Sequence, residues 1–396
     1  MNRITALLWL ALLLIVIWPV QAQTPIRAVA FNDSGKAKYA KGDREGAIAD
    51  FAKAIEIDPG YAMAYNNRGV VRNDLGDYDG AIADYARAIG IDPRLAKAYY
   101  NRAISRKAKG NVVGAIADYS KAIEIDPLYS SAYNNRGLLR FGRGEFAGAI
   151  ADFTKTLESE PGSAQAYANR GMARGESGDY DGALADLNKA LEIDPRNASA
   201  YVNRGFARYL KGDAPGAMAD YTRSIELDAR DPNPYVKRAN VRDETGDHDG
   251  AIADYNAALV IDPRNKFAQY GRGVARDGMK DFKDAIVDYL KAIALDPQYA
   301  DAYNSLAWLW ATCERSEFRS GRKAIQYAGR ACAITKWKTP GFLDTLAAAY
   351  AESGNFREAR VWQTKALSFP EYARSNGEQA RQRLELYKER KPYREK

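Results

Sequence analysis

Seven pairs of arginines recur along the chain, each spaced i, i+4: Arg68/Arg72, Arg102/Arg106, Arg136/Arg140, Arg170/Arg174, Arg204/Arg208, Arg238/Arg242 and Arg272/Arg276. On a helix such residues share one face, so each pair presents two guanidinium groups side by side. An aspartate recurs in the same phase: Asp50, Asp84, Asp118, Asp152, Asp186, Asp220, Asp254 and Asp288. Two chemistries are open to this set. The arginine stems can lie along a helix interface while their heads pair with the aspartates as an ionic ladder. Alternatively, the guanidinium groups can form a stripe for a polyanion such as nucleic acid or an acidic polymer. A second column directly precedes the first arginine of each pair: Asn67, Asn101, Asn135, Asn169 and Asn203, continued by Lys237, Gly271 and Ser305. An asparagine amide offers one acceptor and two donors, the complement of a peptide backbone. Tyr100, Phe206 and Tyr209 lie near this column and could supply apolar anchors.

Catalytic chemistry is hard to assemble from the remaining residues. The only histidine, His248, stands where other units carry Tyr78, Tyr180 or Phe282, which makes it an aromatic substitute in a helix contact. Asp247 and Asp249 flank it, but the same Asp-x-Asp-Gly recurs at Asp77–Gly80 and Asp179–Gly182 as helix-start chemistry. The spacing and terminal glutamate of a calcium loop are missing. No phosphate-binding glycine loop, zinc spacing or nucleophile elbow is present. No enzyme activity, cofactor or metal is expected.

The elements that must position these columns are legible from a 34-residue period. Its marker is an acidic residue before proline: Asp58-Pro59, Asp92-Pro93, Asp126-Pro127, Glu160-Pro161, Asp194-Pro195, Asp262-Pro263 and Asp296-Pro297, with Asp228 keeping the phase before Ala229. Within residues 62–95 the first half ends at Gly76, suited to the left-handed position that closes a helix. Asp77 and Asp79 open the next helix, where carboxylates cap free amides and meet the positive dipole end. Ile82, Tyr85, Ala88 and Ile89 then recur at helical spacing. Small residues at Gly69/Ala81, Gly137/Ala149, Gly171/Ala183 and Gly205/Ala217 let the two helices approach, and Tyr85, Tyr119 or Phe153 fills the adjoining space.

This pattern resembles the tetratricopeptide repeat family, with small residues at positions eight and twenty, an aromatic at twenty-four and proline at thirty-two. The resemblance implies an all-α, right-handed α-solenoid of about ten helix-turn-helix repeats. Eight units span residues 28–299 and two divergent ones residues 300–371, the first of them with five residues inserted around Glu314–Gly321. A capping helix from Glu378 to Glu389 and a tail complete residues 372–396. All tryptophans after the leader (Trp308, Trp310, Trp337 and Trp362) fall near this end, as filling for a thicker terminal core. The arginine pairs stand at positions seven and eleven, where the family usually has leucine and tyrosine.

A helical wheel at 100° per residue separates the two columns. Positions seven and eleven of helix A, the first helix of each repeat, lie near four and eight, which face the second, helix B, so the ionic ladder is the expected arrangement for Arg68, Arg72, Arg102, Arg106, Arg136, Arg140, Arg170, Arg174, Arg204 and Arg208 with Asp84, Asp118, Asp152, Asp186 and Asp220. A charge buried without a partner would be costly. Position six falls on the opposite side with positions two, nine and thirteen, the surface the family uses as its concave groove. The column Asn67, Asn101, Asn135, Asn169 and Asn203 is similar to the asparagine ladder of O-GlcNAc transferase repeats. That similarity implies binding of an extended partner segment through its backbone. The bland alternative is that asparagine was inherited with the duplicated unit or caps neighbouring backbone.

The first residues read as a secretory signal: Arg3, then an apolar stretch from Ala6 to Trp18, with Val20-Gln21-Ala22 offering a cleavage site after Ala22. Residues 1–22 are therefore expected to be removed and 23–27 to form a linker, leaving a periplasmic or secreted chain with no transmembrane span after cleavage; an uncleaved anchor is the alternative. Cys313 and Cys332 are too far apart along antiparallel helices to be bridged, and Cys332 reads as a small core residue. The chain has 58 Lys+Arg against 51 Asp+Glu, a net charge of +7. That is compatible with an anionic partner yet far from the blocks of basic residues that mark nucleic-acid arms, so a protein or peptide partner is expected rather than nucleic acid. The expected function is an exported, non-catalytic interaction scaffold. A binder of an anionic polysaccharide or nucleic acid and an accessory subunit of an envelope enzyme complex are the alternatives.

Overall fold

A computed structural model describes residues 26–395, all of whose regular elements are helical. The expected signal peptide and its cleavage site lie outside the described residues. Two compact units meet in sequence at Pro195 and Arg196. The first contains α1 (residues 26–40), α2 (Arg44–Ile57), α3 (Ala62–Asp74), α4 (Tyr78–Ile91), α5 (Ala96–Ala108), α6 (Val112–Ile125), α7 (Ser130–Gly142), α8 (Phe146–Ser159), α9 (Ala164–Glu176) and α10 (Tyr180–Ile193). The second contains α11 (Ala198–Leu210), α12 (Ala214–Leu227), α13 (Pro232–Glu244), α14 (His248–Ile261), α15 (Lys266–Gly278), α16 (Phe282–Leu295), α17 (Ala300–Thr312), α18 (Gly321–Ile334), α19 (Pro340–Glu352), α20 (Phe356–Leu367), α21 (Pro370–Ser375) and α22 (Gly377–Lys388). Within each unit, consecutive helices pair as hairpins: α3 with α4, α5 with α6, and so on to α19 with α20.

Each hairpin is assembled from the same local chemistry. Gly76 takes φ +81° after α3, a conformation that costs glycine little. Asp77 then caps α4, its side chain accepting from the Gly80 amide at 2.9 Å. The capping carboxylate lies so close that a Cβ at position 80 would sit 2.1 Å from Asp77 Oδ2. The recurring Asp-x-x-Gly is thus a cap together with the space it needs.

The acidic residue before proline has its own role at the other turn. Asp92 Oδ1 accepts from the Arg94 amide at 2.9 Å, and Asp126, Asp262 and Asp296 do the same two residues on. Asp228 makes this bond at 3.0 Å although alanine follows it. The aspartate supplies the turn's hydrogen bond, whereas proline only restricts the backbone.

Between paired helices, Gly69 lies under the Tyr85 ring, where a Cβ would come within 2.7 Å of it. Gly137 under Phe153 and Gly205 under Tyr221 repeat the contact. Ala81, Ala149 and Ala217 are fully buried opposite them. The pairs can therefore pack backbone to backbone with one large ring filling each gap.

The end of the second unit departs from this plan. The inserted residues form a short 3-10 turn, Ser316–Phe318, held by Arg319 bonds to the Cys313 and Glu314 carbonyls. Trp337 and Trp362 stack at 5.1 Å, and Trp310 is buried against α18. Two helices, α21 and α22, follow α20, and α22 packs on α20 and α19. Cys313 and Cys332 are buried free thiols, and burial pushes the Cys332 thiol up to about 12. No helix among the described residues is long and apolar enough to cross a membrane.

Candidate functional site

Seven of the recurrent aspartates hold two arginines each. Arg68 approaches Asp84 with both Nε and an Nη at 2.9 and 2.6 Å, and Arg72 adds a third bond at 2.8 Å. Asp118 with Arg102/Arg106, Asp152 with Arg136/Arg140, and Asp186 with Arg170/Arg174 repeat this within the first unit. Asp220 with Arg204/Arg208, Asp254 with Arg238/Arg242, and Asp288 with Arg272/Arg276 do so within the second. These carboxylates are almost completely buried. Two cations converging on one desolvated anion satisfy its lone pairs, which is what a buried carboxylate requires. The Asp84 carboxylate in turn raises the Arg68 guanidinium above its ordinary value.

Asp50 is served differently. Position seven of its repeat is Ser34 and position eleven is Lys38, which reach the carboxylate at 2.6 and 2.7 Å. Those two hydrogen bonds, Lys38 first, hold the Asp50 carboxyl below its ordinary value.

Arg136, Arg170 and Arg238 each have two more contacts, and the first arginines of other pairs have at least one. In every pair but the last the guanidinium lies over a tyrosine of its own helix, as in Arg102 over Tyr99 and Arg136 over Tyr133, both at 5.6 Å, whereas Arg272 has Gln269 in that place. In four pairs the free Nη reaches back to the second helix of the preceding hairpin: Arg136 to Ser120 at 2.9 Å, Arg170 to Thr154 at 3.2 Å, Arg238 to Thr222 at 2.8 Å and Arg272 to Asn256 at 2.5 Å, whereas Ala52 and Ala86 stand in that place for Arg68 and Arg102. One side chain thereby ties two hairpins together. Sequence reasoning missed this column of hydroxyls and amides, although Ser120, Thr154, Thr222 and Asn256 recur in the 34-residue phase.

The asparagine column also joins neighbours. Asn67 Nδ2 donates to Asn32 Oδ1 at 2.8 Å, Asn101 to Asn66 at 3.0 Å, Asn135 to the Tyr100 hydroxyl at 3.0 Å and Asn169 to Asn134 at 3.0 Å. In the second unit Ser305 meets Tyr270 at 3.1 Å in the same register. Position six of one helix A therefore bonds position five of the previous one. Each Nδ2 keeps a second proton, and Asn67, Asn101 and Asn135 are only half-buried. Asn169 is more enclosed, and its Oδ1 accepts from Gln165 at 2.8 Å. Asn203 lies half-buried on α11.

The three expected anchors are not bare rings. Tyr100 stacks on Tyr129 at 4.8 Å besides accepting from Asn135. Phe206 lies beneath the Lys237 ammonium at 4.3 Å. The Tyr209 hydroxyl donates to the Glu244 carboxylate at 2.6 Å. His248 Nδ1 lies 2.7 Å from Asp243 Oδ1 at the start of α14. No group of side chains that could hold a metal occurs among the described residues.

Tetratricopeptide repeat profiles match residues 32–96, 96–129 and 232–265, and a TPR repeat profile matches 174–212 and 279–309. No curated protein matches the chain. Among solved structures, a tetratricopeptide repeat protein from Parabacteroides merdae is similar at 21% identity and TM-score 0.49, over 63% of this chain and 98% of its own. MamA is similar at 29% identity and TM-score 0.40, over 45% of this chain and 95% of its own. YrrB, described as a TPR protein with an unusual peptide-binding site, is similar at 24% identity and TM-score 0.38, over 47% and 96% of the two chains.

Proposed function

The chain carries tetratricopeptide repeats, and we propose that it is an exported, non-catalytic scaffold that holds an extended partner segment against the amide column of its A helices. Repeats of this kind are generally non-catalytic and mediate protein–protein contacts. The observation that carries the finer reading is the division of labour between the two columns. The guanidinium heads are engaged by buried aspartates, which withdraws them from service to a polyanion. Asn67, Asn101 and Asn135 are half-buried residues at a regular spacing, each with one Nδ2 proton beyond the bond it makes to its neighbour. A backbone-reading surface of this type would tolerate many side-chain sequences. Export rests on the leader read from residues 1–22, and it places the partner in an envelope or outside the cell.

Panning a library of extended peptides against the native chain and against Asn101→Ala/Asn135→Ala tests this reading. Peptides of varied sequence should be retained by the native chain and lost from the variant, with unchanged circular dichroism. Equal retention by both would remove the amide column from the site. Affinity that collapses with added salt would transfer the function to anion binding.

A further inference from the structure

Residues 391–395 form an extended segment that leaves α22 and returns to the last turn of α17. The Arg390 backbone turns at φ 59°, and the Lys391 amide bonds the Leu386 carbonyl at 2.8 Å. Three successive side chains beyond it are then met by different helices. The Tyr393 ring packs 5.9 Å from Trp308, and the Arg383 guanidinium lies 5.4 Å from the same tyrosine ring. Arg394 pairs with Glu352 at 2.5 Å and reaches the Ala311 carbonyl at 3.4 Å. The Trp308 indole donates to Glu395 Oε2 at 2.6 Å, Thr312 Oγ1 lies 3.3 Å from that oxygen, and the Glu395 amide donates to the Thr312 carbonyl at 2.9 Å.

The receiving groups have their own reasons to be there. Ala311 and Thr312 end α17, where carbonyls lack intrahelical partners and present themselves to any donor. Glu352 ends α19 and is also held by Arg319 at 3.2 Å. Trp308 and Thr312 stand at positions nine and thirteen of their helix A, the face that also carries position six. Beside Glu395 a cavity of about 320 Å³ extends between Asp277, Lys280, Phe282 and Cys313, so the segment fills only part of the available hollow.

We infer that the end of α17, with Glu352 and Arg383, is a peptide-recognition site for an aromatic–arginine–acid triplet, and that Tyr393–Arg394–Glu395 is its intramolecular occupant. A partner segment of that chemistry gains access by displacing the chain's own. This deepens the scaffold reading, on which it rests, by adding a site that reads side chains to one that reads backbone. The occupant is connected to the site by a short path, which gives it a high effective concentration. A partner therefore needs additional contacts, and the neighbouring cavity provides room for them.

The test uses the full chain and a fluorescent peptide of sequence Lys-Pro-Tyr-Arg-Glu-Lys. The Tyr393→Ala/Arg394→Ala/Glu395→Ala chain should bind this peptide about ten-fold or more tighter than the native chain does. Trp308→Phe in that background keeps an aromatic ring, removes the indole donor and should weaken binding about five-fold or more. In the native chain, excess free peptide should accelerate hydrogen exchange at the Glu395 amide, a readout independent of how the triple variant folds. Equal affinity for native and triple-variant chains, or Glu395 exchange indifferent to the peptide, would overturn the inference. Asn101→Ala/Asn135→Ala should leave this binding untouched. Loss of library peptides there with retention of this one would sink the amide-column reading alone, and the reverse would sink this inference alone.

Discussion

The hairpin α15–α16 and the hairpin α17–α18 fill the same internal slot with opposite chemistries. In the first, Arg272 and Arg276 converge on Asp288, whose side chain is fully buried. In the second, positions seven and eleven are Leu306 and Trp310, and Tyr327 stands in α18 where Asp288 stands in α16. Trp310 meets the Tyr327 ring edge-on at 4.9 Å. The geometry of the hairpin thus tolerates either solution. What differs is the energetic character: an ionic cluster gives back much of its attraction as desolvation cost, whereas an aromatic pair gains from burial outright. The ionic version also makes each hairpin depend on every member of its cluster, because a survivor is left charged and unpaired.

The largest expected effect follows from that dependence. Asp288→Ala strands two guanidinium groups and should lower unfolding free energy by about 3–5 kcal/mol, measured by denaturant titration. Trp310→Ala should cost a similar ~3–5 kcal/mol through a cavity, so the comparison sharpens only with a transplant. Replacing Arg272, Arg276 and Asp288 together by Leu, Trp and Tyr should be neutral or stabilising by about 1–4 kcal/mol. A transplant as damaging as Asp288→Ala would show that the two slots are not equivalent.

A pH experiment probes the boundary between these hairpins. Burial pushes the Asp277 carboxyl up to about 7, with a further contribution from the nearby Glu395 charge, against a hydrogen bond from Tyr289 that acts the other way. Because the folded-state value is raised, the native state favours the protonated acid. Its contribution is fully present below the ordinary aspartate range near 4 and is lost as pH rises through about 7. Asp277→Asn should therefore raise the melting temperature at pH 8 and leave it nearly unchanged at pH 4. The smallest effect belongs to the tie between hairpins. Thr154→Val removes the hydroxyl that Arg170 reaches and should cost about 1 kcal/mol, with the Arg170–Asp186 bonds retained.

Much of this was readable because each repeat restates it. Asp77, Gly80, Gly69 and Tyr85 have roles that depend on neighbours within one hairpin, so their spacing alone exposes them. The placement of Arg68 toward Asp84 also followed from a wheel, since both lie in one repeat. Contacts between successive repeats were harder to read. That Asn101 would donate to Asn66, or Arg136 to Ser120, depends on the offset between stacked hairpins, which no single unit encodes. The end of the chain lies outside the period altogether. Arg383 forms a buried bidentate pair with Asp344 at 2.7 and 3.0 Å, and Glu395 returns to Thr312, through contacts that no repeat foreshadows.

The central claim is that the recurrent guanidinium groups are internal fittings, and the proposal that the amide column faces a partner rests on it. Nitrogen-15 NMR of the Arg102, Arg136 and Arg170 Nε–H groups tests it most directly. Slow exchange with water at neutral pH, and resonances unmoved by an added anionic polymer, are the predicted result. Fast exchange together with shifts on adding the polymer would place those groups in solution and contradict the account.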